Sequence, residues 1–190
     1  FDGNAVIAAV AETFGALPPR AATLDEWESE RLARFTADRS ERVLTHAGAP
    51  DQALAMTIWP TTDDEDAQEE ATMQLLAGVM RLEMLQRIRE ELGASYSPGA
   101  SSNMSHIYRD FGTFSTSVVV APEQADEVFA VIDAIASEFR EGPISADLLE
   151  RARAPLLEKI ALSRRENGWW LRAIDEAQLR AERLDRVRSY

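Results

Sequence analysis

Between Leu75 and Leu92 apolar residues return at every third or fourth position, at Leu75, Val79, Leu82, Leu85, Ile88 and Leu92, and Gly93 ends the run. That period belongs to a long helix with one buried face. A glycine is suited to the stop because it tolerates positive φ. The segment that follows, Ala94 to Ser102, reads as a strand, so the chain must build a helix-to-strand corner and cover one helix face with a broad partner. Arg89 falls in the helix's last turn, beside the orphan carbonyls and the negative end of the dipole, and Tyr96 lies three residues past the stop. Both side chains donate hydrogen bonds, and from adjoining elements they can project toward one point suited to a carbonyl or carboxylate. The residue types alone leave a second reading open, in which the arginine answers the dipole and the tyrosine packs.

The other elements arrange themselves around that corner. Residues 4–15 read as a helix with Val6, Ile7, Val10 and Phe14 on one face, Asn4 as its cap, and Gly15 with Pro18-Pro19 as its end. Residues 20–38 carry mixed charge behind the Pro-Pro pair and read as a linker, with a short helical turn around Trp27 to Leu32. Strands are expected at 41–47 and 53–59; the second alternates Leu54, Met56 and Ile58 against Ala55, Thr57 and Trp59. Thr62-x-x-Glu65 is a capping box for the long helix, and Asp63, Asp64, Glu65 and Asp66 suit its first turn. A calcium loop would need a central glycine and a terminal bidentate glutamate, which this run lacks.

Downstream, residues 94–102 and 111–120 form a hairpin around a polar loop from Asn103 to Asp110, with Phe114, Val118 and Val120 on one side and Ser115 and Ser117 on the other. Pro122 opens a helix carrying Val128, Val131, Ile132, Ile135 and Phe139, which Gly142-Pro143 stops. Ser145 caps the next, with Leu148, Leu149, Ala152, Leu156, Ile160 and Leu162 inward and Pro155 as a kink. Asn167-Gly168 breaks the pattern before Trp169-Trp170, expected in the core rather than along a groove, and a final helix to about Leu184. Strands, helix, strands, then helices make an α+β plan: a largely antiparallel sheet with helices on one face.

Composition narrows the chemistry. Twenty basic against thirty-three acidic residues leave a net charge of −13, which gives no basic patch for nucleic acid or an anionic membrane and suits solubility and attraction of basic peptides. With no cysteine there is neither a disulfide framework nor a thiolate metal site. His46 and His106 stand alone, so the chain carries no zinc motif of its own; a Gly-x-Ser-x-Gly elbow, a phosphate loop and a dinucleotide fingerprint are absent too. The segment is therefore expected not to hydrolyse a substrate by itself. The opening Phe-Asp-Gly-Asn enters a helix at once, and the chain is read as a piece of a longer protein.

Arg-Glu-Glu-Leu-Gly-Ala-Ser-Tyr, from Arg89 to Tyr96, resembles the arginine-to-tyrosine segment of the insulinase/pitrilysin family of zinc metallopeptidases, whose zinc motif is the inverted His-x-x-Glu-His. Ala-Pro-Asp-Gln at 49–52 before Ile58-Trp59-Pro60, Phe-Gly-Thr-Phe at 111–114, Val-Ala-Pro-Glu at 120–123, Pro-Ile-Ser-Ala-Asp-Leu-Leu at 143–149 and Asn167-Gly168-Trp169-Trp170-Leu171 follow the order of that family's non-zinc domains, bacterial single-chain members above all. The resemblance implies a metallohydrolase-like domain over 39–190, with split β-α-β, ferredoxin-like character and without its closing strand, and makes 1–19 the terminal helix of the preceding domain.

It also implies a division of labour. An N-terminal half, in the same chain or in a partner subunit, would hold zinc and the general base. This half would close the chamber, with Arg89 on the substrate backbone and Tyr96 on the scissile carbonyl oxygen as negative charge develops there. Gly93 would let the strand turn close. Peptides are then the substrates, and zinc is a cofactor of the parent enzyme and not of this segment. Bacterial members are often exported, which favours the periplasm over the cytoplasm for the parent, although the segment itself carries no signal that fixes the compartment. Two rivals remain at this point: a non-catalytic scaffold or partner subunit of a peptidase-like heterodimer, and an unrelated peptide-binding module of ferredoxin-like topology.

Overall fold

The computed structural model describes residues 2–19, 29–44, 48, 51–92 and 97–189. The chain divides into two compact units, Phe1–Arg31 and Leu32–Tyr190. The first contains helix α1 (Gly3–Thr13), capped not by Asn4 but by Asp2, whose carboxylate accepts from the Asn4 and Ala5 amides. The cap falls there because a capping oxygen must sit two or three residues before the amide it accepts from. None of the side chains of α1 is buried.

The second unit is an antiparallel sheet covered on one face by helices. Strand β1 (Ala53–Thr61) pairs with β3 (Gly112–Val120), which pairs on its other side with β2 (Gly99–Met104), in the order β1-β3-β2. Helix α2 (Ala67–Leu92) crosses from β1 to β2 over a position that β3 then fills, the split β-α-β arrangement. The chain continues through a 3₁₀ turn (Pro122–Gln124) into α3 (Ala125–Glu141), then α4 (Ala146–Ser163), α5 (Asn167–Leu179) and α6 (Glu182–Ser189). The α+β plan with one helical layer is therefore the fold observed among the described residues.

The inner face of the sheet is set by β3, whose alternation turns Phe114, Thr116, Val118 and Val120 inward beneath α2 and α3. On β1 the inward set is Ala55 with the half-buried Thr57 and Trp59, and Trp59 meets Phe114 at 5.9 Å. Val128, Val131, Ile132 and Ile135 bring α3 into the same core, as their spacing requires. Proline at the first turn of that helical stretch and Ser145 at the cap of α4, accepting from the Leu148 amide, both stand where the sequence places them. Pro155 lies within a continuous α4.

Several expectations are corrected. Val79 and Ile88 are buried as expected, but the core side of α2 runs through Ala77, Met80, Met84 and Ile88, with Met73 and Leu76 half-buried against it, and Leu75, Leu82 and Leu85 are only half-buried. The reason is that α2 is covered from two sides: the sheet and α3 take that face, and α4 comes close at Gly78, where an added Cβ would lie 3.4 Å from the Cβ of the buried Ala152. The capping box is not formed. Asp66 is the oxygen that accepts from the Gln68 and Glu69 amides, and Asp63 instead holds the Glu65 amide and, across the loop, the Asp110 amide. No strand occupies 41–44, and residues 45–47 lie outside the described residues. A strand needs a ladder partner, and here Asp38 draws the chain into a local turn, accepting from the Ser40 amide and the Arg42 guanidinium. Of the turn expected around Trp27 to Leu32, residues 27 and 28 fall outside the described residues, and Ser29 to Arg31 form a turn.

Strand β2 takes in Asn103 and Met104, which were expected in the loop, and Leu162 on α4 is exposed. The break expected at Asn167-Gly168 falls just before it, at residues 164–166, so that Asn167 begins α5, and a second break at Arg180-Ala181 divides the expected final helix into α5 and α6.

Candidate functional site

The corner at the end of α2 is built from three consecutive side chains with different fates. Ile88 is buried in the core. Arg87, one residue earlier, lies against α3: its Nη1 donates to Glu138 Oε1 at 2.8 Å, its Nη2 to Glu138 Oε2, and its Nε to Glu83 Oε1 at 2.8 Å. The hydrogen bond from Arg87 holds the Glu138 carboxyl below its ordinary range, and the same bond holds the guanidinium more firmly protonated. Arg89 is exposed in the last turn, as its position near the helix end predicts, and among the described residues its side chain has no partner. Gly93 and Tyr96 lie outside the described residues, so the expected meeting of Arg89 with Tyr96 has no geometry here.

The opposite end of α2 carries a cluster that the sequence reading missed. Asp64 is buried, and its carboxylate receives the buried Arg183 from α6. Arg186 donates to the Asp64 carbonyl at 2.7 Å, the Glu65 carbonyl at 2.6 Å and Glu70 Oε2 at 3.1 Å. Burial opposes the charge on Arg183, but the hydrogen bond and charge of Asp64 outweigh it and keep the group protonated; burial raises the Glu70 carboxyl above its ordinary value despite Arg186. Arginines at 180, 183 and 186 recur at one helical step, and facing the acidic run 63–66 they were the available signal. That run therefore anchors α6 as well as opening α2.

Beside this cluster, a shallow cleft of about 230 Å³ is lined by Glu70 and Gln74 of α2, Ile160 of α4, Trp169 and Glu176 of α5 and Val187 of α6. Trp169 and Trp170 are half-buried and meet edge to face at 4.9 Å, with Trp170 Nε1 donating to the Arg164 carbonyl at 2.8 Å. The pair thus belongs neither wholly to the core nor wholly to a groove.

The outer face of the sheet is uneven. On β1 Leu54, Met56 and Ile58 are 57%, 45% and 53% exposed, and Val119, directly opposite Leu54, is 54% exposed, so an apolar strip lies along one edge. Toward β2 it gives way to Ser115, Ser117, Ser101 and Asn103, with Ser101 and Ser115 in hydrogen-bond contact at 3.1 Å. Among the described residues no group of three or more His, Asp or Glu side chains could hold a metal ion, and His106 is exposed in its loop; His46 lies outside the described residues. The described helices include none long and apolar enough to cross a membrane.

A family model described as the peptidase M16 inactive domain matches residues 1–156, from α1 into α4. The chain belongs to the peptidase M16 family, as an inactive C-terminal-type domain of the insulinase/pitrilysin group. No individual curated protein matches it. Membership in M16 supports a peptidase as the parent, and domains of this kind generally pair with an N-terminal half or a partner subunit.

Proposed function

We propose that this M16 domain is the metal-free half of a zinc metalloendopeptidase, and that it closes the peptide chamber and holds the substrate backbone through Arg89 and Tyr96. The observation that carries the reading is the state of Arg89: a guanidinium in the last turn of α2, exposed and without a partner among the described residues, in a helix end otherwise tied down by Ile88 and Arg87. A cation so placed answers its own helix dipole and still has donors free for a peptide carbonyl. The role of Tyr96 rests on the sequence resemblance, with its hydroxyl donating to the scissile carbonyl oxygen as charge gathers there.

Zinc is assigned to the other half. The described residues provide no ligand set that fits it. The apolar strip of Leu54, Met56, Ile58 and Val119 supports pairing with another polypeptide, because such a patch tends to be covered by a partner. The periplasm is the compartment we assign to the parent. The word "inactive" in the family description favours a second reading, a scaffold subunit without substrate contacts.

Combining this domain with its metal-bearing half and testing Tyr96→Phe and Arg89→Ala separates the two. Loss of one such donor should lower kcat about 10²–10³-fold with bound metal unchanged. An unchanged kcat/KM in both variants selects the scaffold.

A further inference from the structure

We propose that Arg87 and Glu138 act as a positioning pair that fixes the direction of Arg89, an inference that rests on Arg89 being a substrate contact. Among the side chains of α2 whose burial is described, Ile88 is the last buried one, and Arg89 and Glu90 beyond it are exposed. Helix ends open locally because their last carbonyls lack partners and few apolar contacts restrain them. Arg87 supplies the restraint at this end. It ties α2 to α3 across 51 residues of sequence through two parallel N–H···O bonds to Glu138, while Nε holds Glu83 one turn back.

The fork geometry matters more than the charge. Three donors of one planar guanidinium are committed to two carboxylates, which sets the plane of the group and the rotation of the helix beneath it. Successive helical residues are about 100° apart, so Arg89 stands about 200° from Arg87 and about 100° from Ile88. With Ile88 in the core and Arg87 on α3, Arg89 is left one direction, away from α3 and into solvent. A pair this open to water adds little to stability, since the Glu138 side chain is 55% exposed. Its three-bond geometry is better explained by orientation than by holding the fold together.

The test uses the domain assembled with its metal-bearing half, in Glu138→Gln, Arg87→Lys and the reversed pair Arg87→Glu with Glu138→Arg. Asp147→Ala serves as control, because its 3.5 Å pair with Arg151 is also a solvent-exposed ion pair, with both partners on α4 and away from the end of α2. We expect faster amide exchange at residues 88–90 in both single variants and kcat lowered by about ten- to a hundredfold, the range in which a small misplacement acts. KM should stay within about twofold, because the donors themselves remain, and the reversed pair should restore part of kcat. The control should change neither readout. Unchanged exchange at 88–90 overturns the clamp whatever the peptide chemistry. Faster exchange with unchanged kcat overturns the positioning role. If Arg89→Ala leaves turnover intact, the substrate-contact reading fails instead, and the exchange data still decide whether the clamp orders the turn.

Discussion

At its N-terminal end α2 meets Arg183 and Arg186 in a cluster around the buried Asp64, whereas at its C-terminal end it is tied to α3 by an arginine fork that solvent reaches, with Arg89 unpartnered among the described residues just beyond. The same helix is thus anchored by buried charge at one end and oriented by accessible charge at the other. Buried ions that lose a partner are strongly destabilising, while exposed pairs contribute little. The comparison teaches that the first end should be read through stability and the second through what a free guanidinium can touch.

The sharpest way to break this contrast is at the buried end. Arg183→Ala would leave the Asp64 carboxylate, at 6% exposure, with the longer 3.9 Å pair to Arg180 in place of its direct hydrogen bond, and by the usual penalty for breaking a buried pair it should cost up to about 3–5 kcal/mol. Urea unfolding of the domain reads this directly. A loss no larger than that of Arg151→Ala, in an exposed pair on α4, would erase the distinction between the two ends. Next in size comes Ile88→Ala, at the last buried position among the described side chains of α2. It should cost about 2–5 kcal/mol through lost burial and the cavity left behind, again by urea unfolding.

Much of this helix could be read from the sequence, and the parts that could not share a cause. Its existence and extent follow from local periodicity, as do the alternation of β3 and the buried stripe of α3, because neighbours along the chain decide them. Which side of α2 is most buried depends on two coverings, one of them α4 closing on Gly78, and local period cannot rank them. The pairing of Asp64 with Arg183 spans 119 residues and that of Arg87 with Glu138 spans 51, so no window along the chain contains either. The lost strand at 41–44 has the same origin: Val43 and Leu44 have the right residue type, but a strand exists only where a second strand meets it. At the candidate site, the exposed place of Arg89 in the last turn was legible because dipole and helix stop are local.

A milder probe of the buried end uses pH. Burial raises the Glu70 carboxyl above 4.5 in the folded protein, so the folded state binds its proton more tightly than the unfolded chain does. That contribution to stability is fully present below about 4.5 and is lost as pH rises from there through the raised value, beyond which it is constant. Glu70→Gln cannot titrate. The melting temperature of the native chain should therefore fall relative to that of the variant over this window. Parallel curves would mean that Glu70 is as well solvated as an exposed glutamate, and the cluster would cease to be a buried one.

The smallest effect on stability should come from Arg89→Ala, and for that reason it bears most directly on the contrast between the ends. An exposed side chain with no partner among the described residues leaves none of them unsatisfied when it is removed, so unfolding free energy should move by no more than about 0.5 kcal/mol. Loss of favourable charge at the helix C-terminus would account for a change of that size, and added salt should shrink it. If the variant instead unfolds as readily as Arg183→Ala, then Arg89 belongs to the framework, and its exposure has been misread. If stability holds while turnover by the assembled peptidase collapses, the accessible end of α2 carries function without carrying the fold. That separation is what a substrate contact requires, because a guanidinium already committed to the structure would have to break a bond before it could reach a peptide.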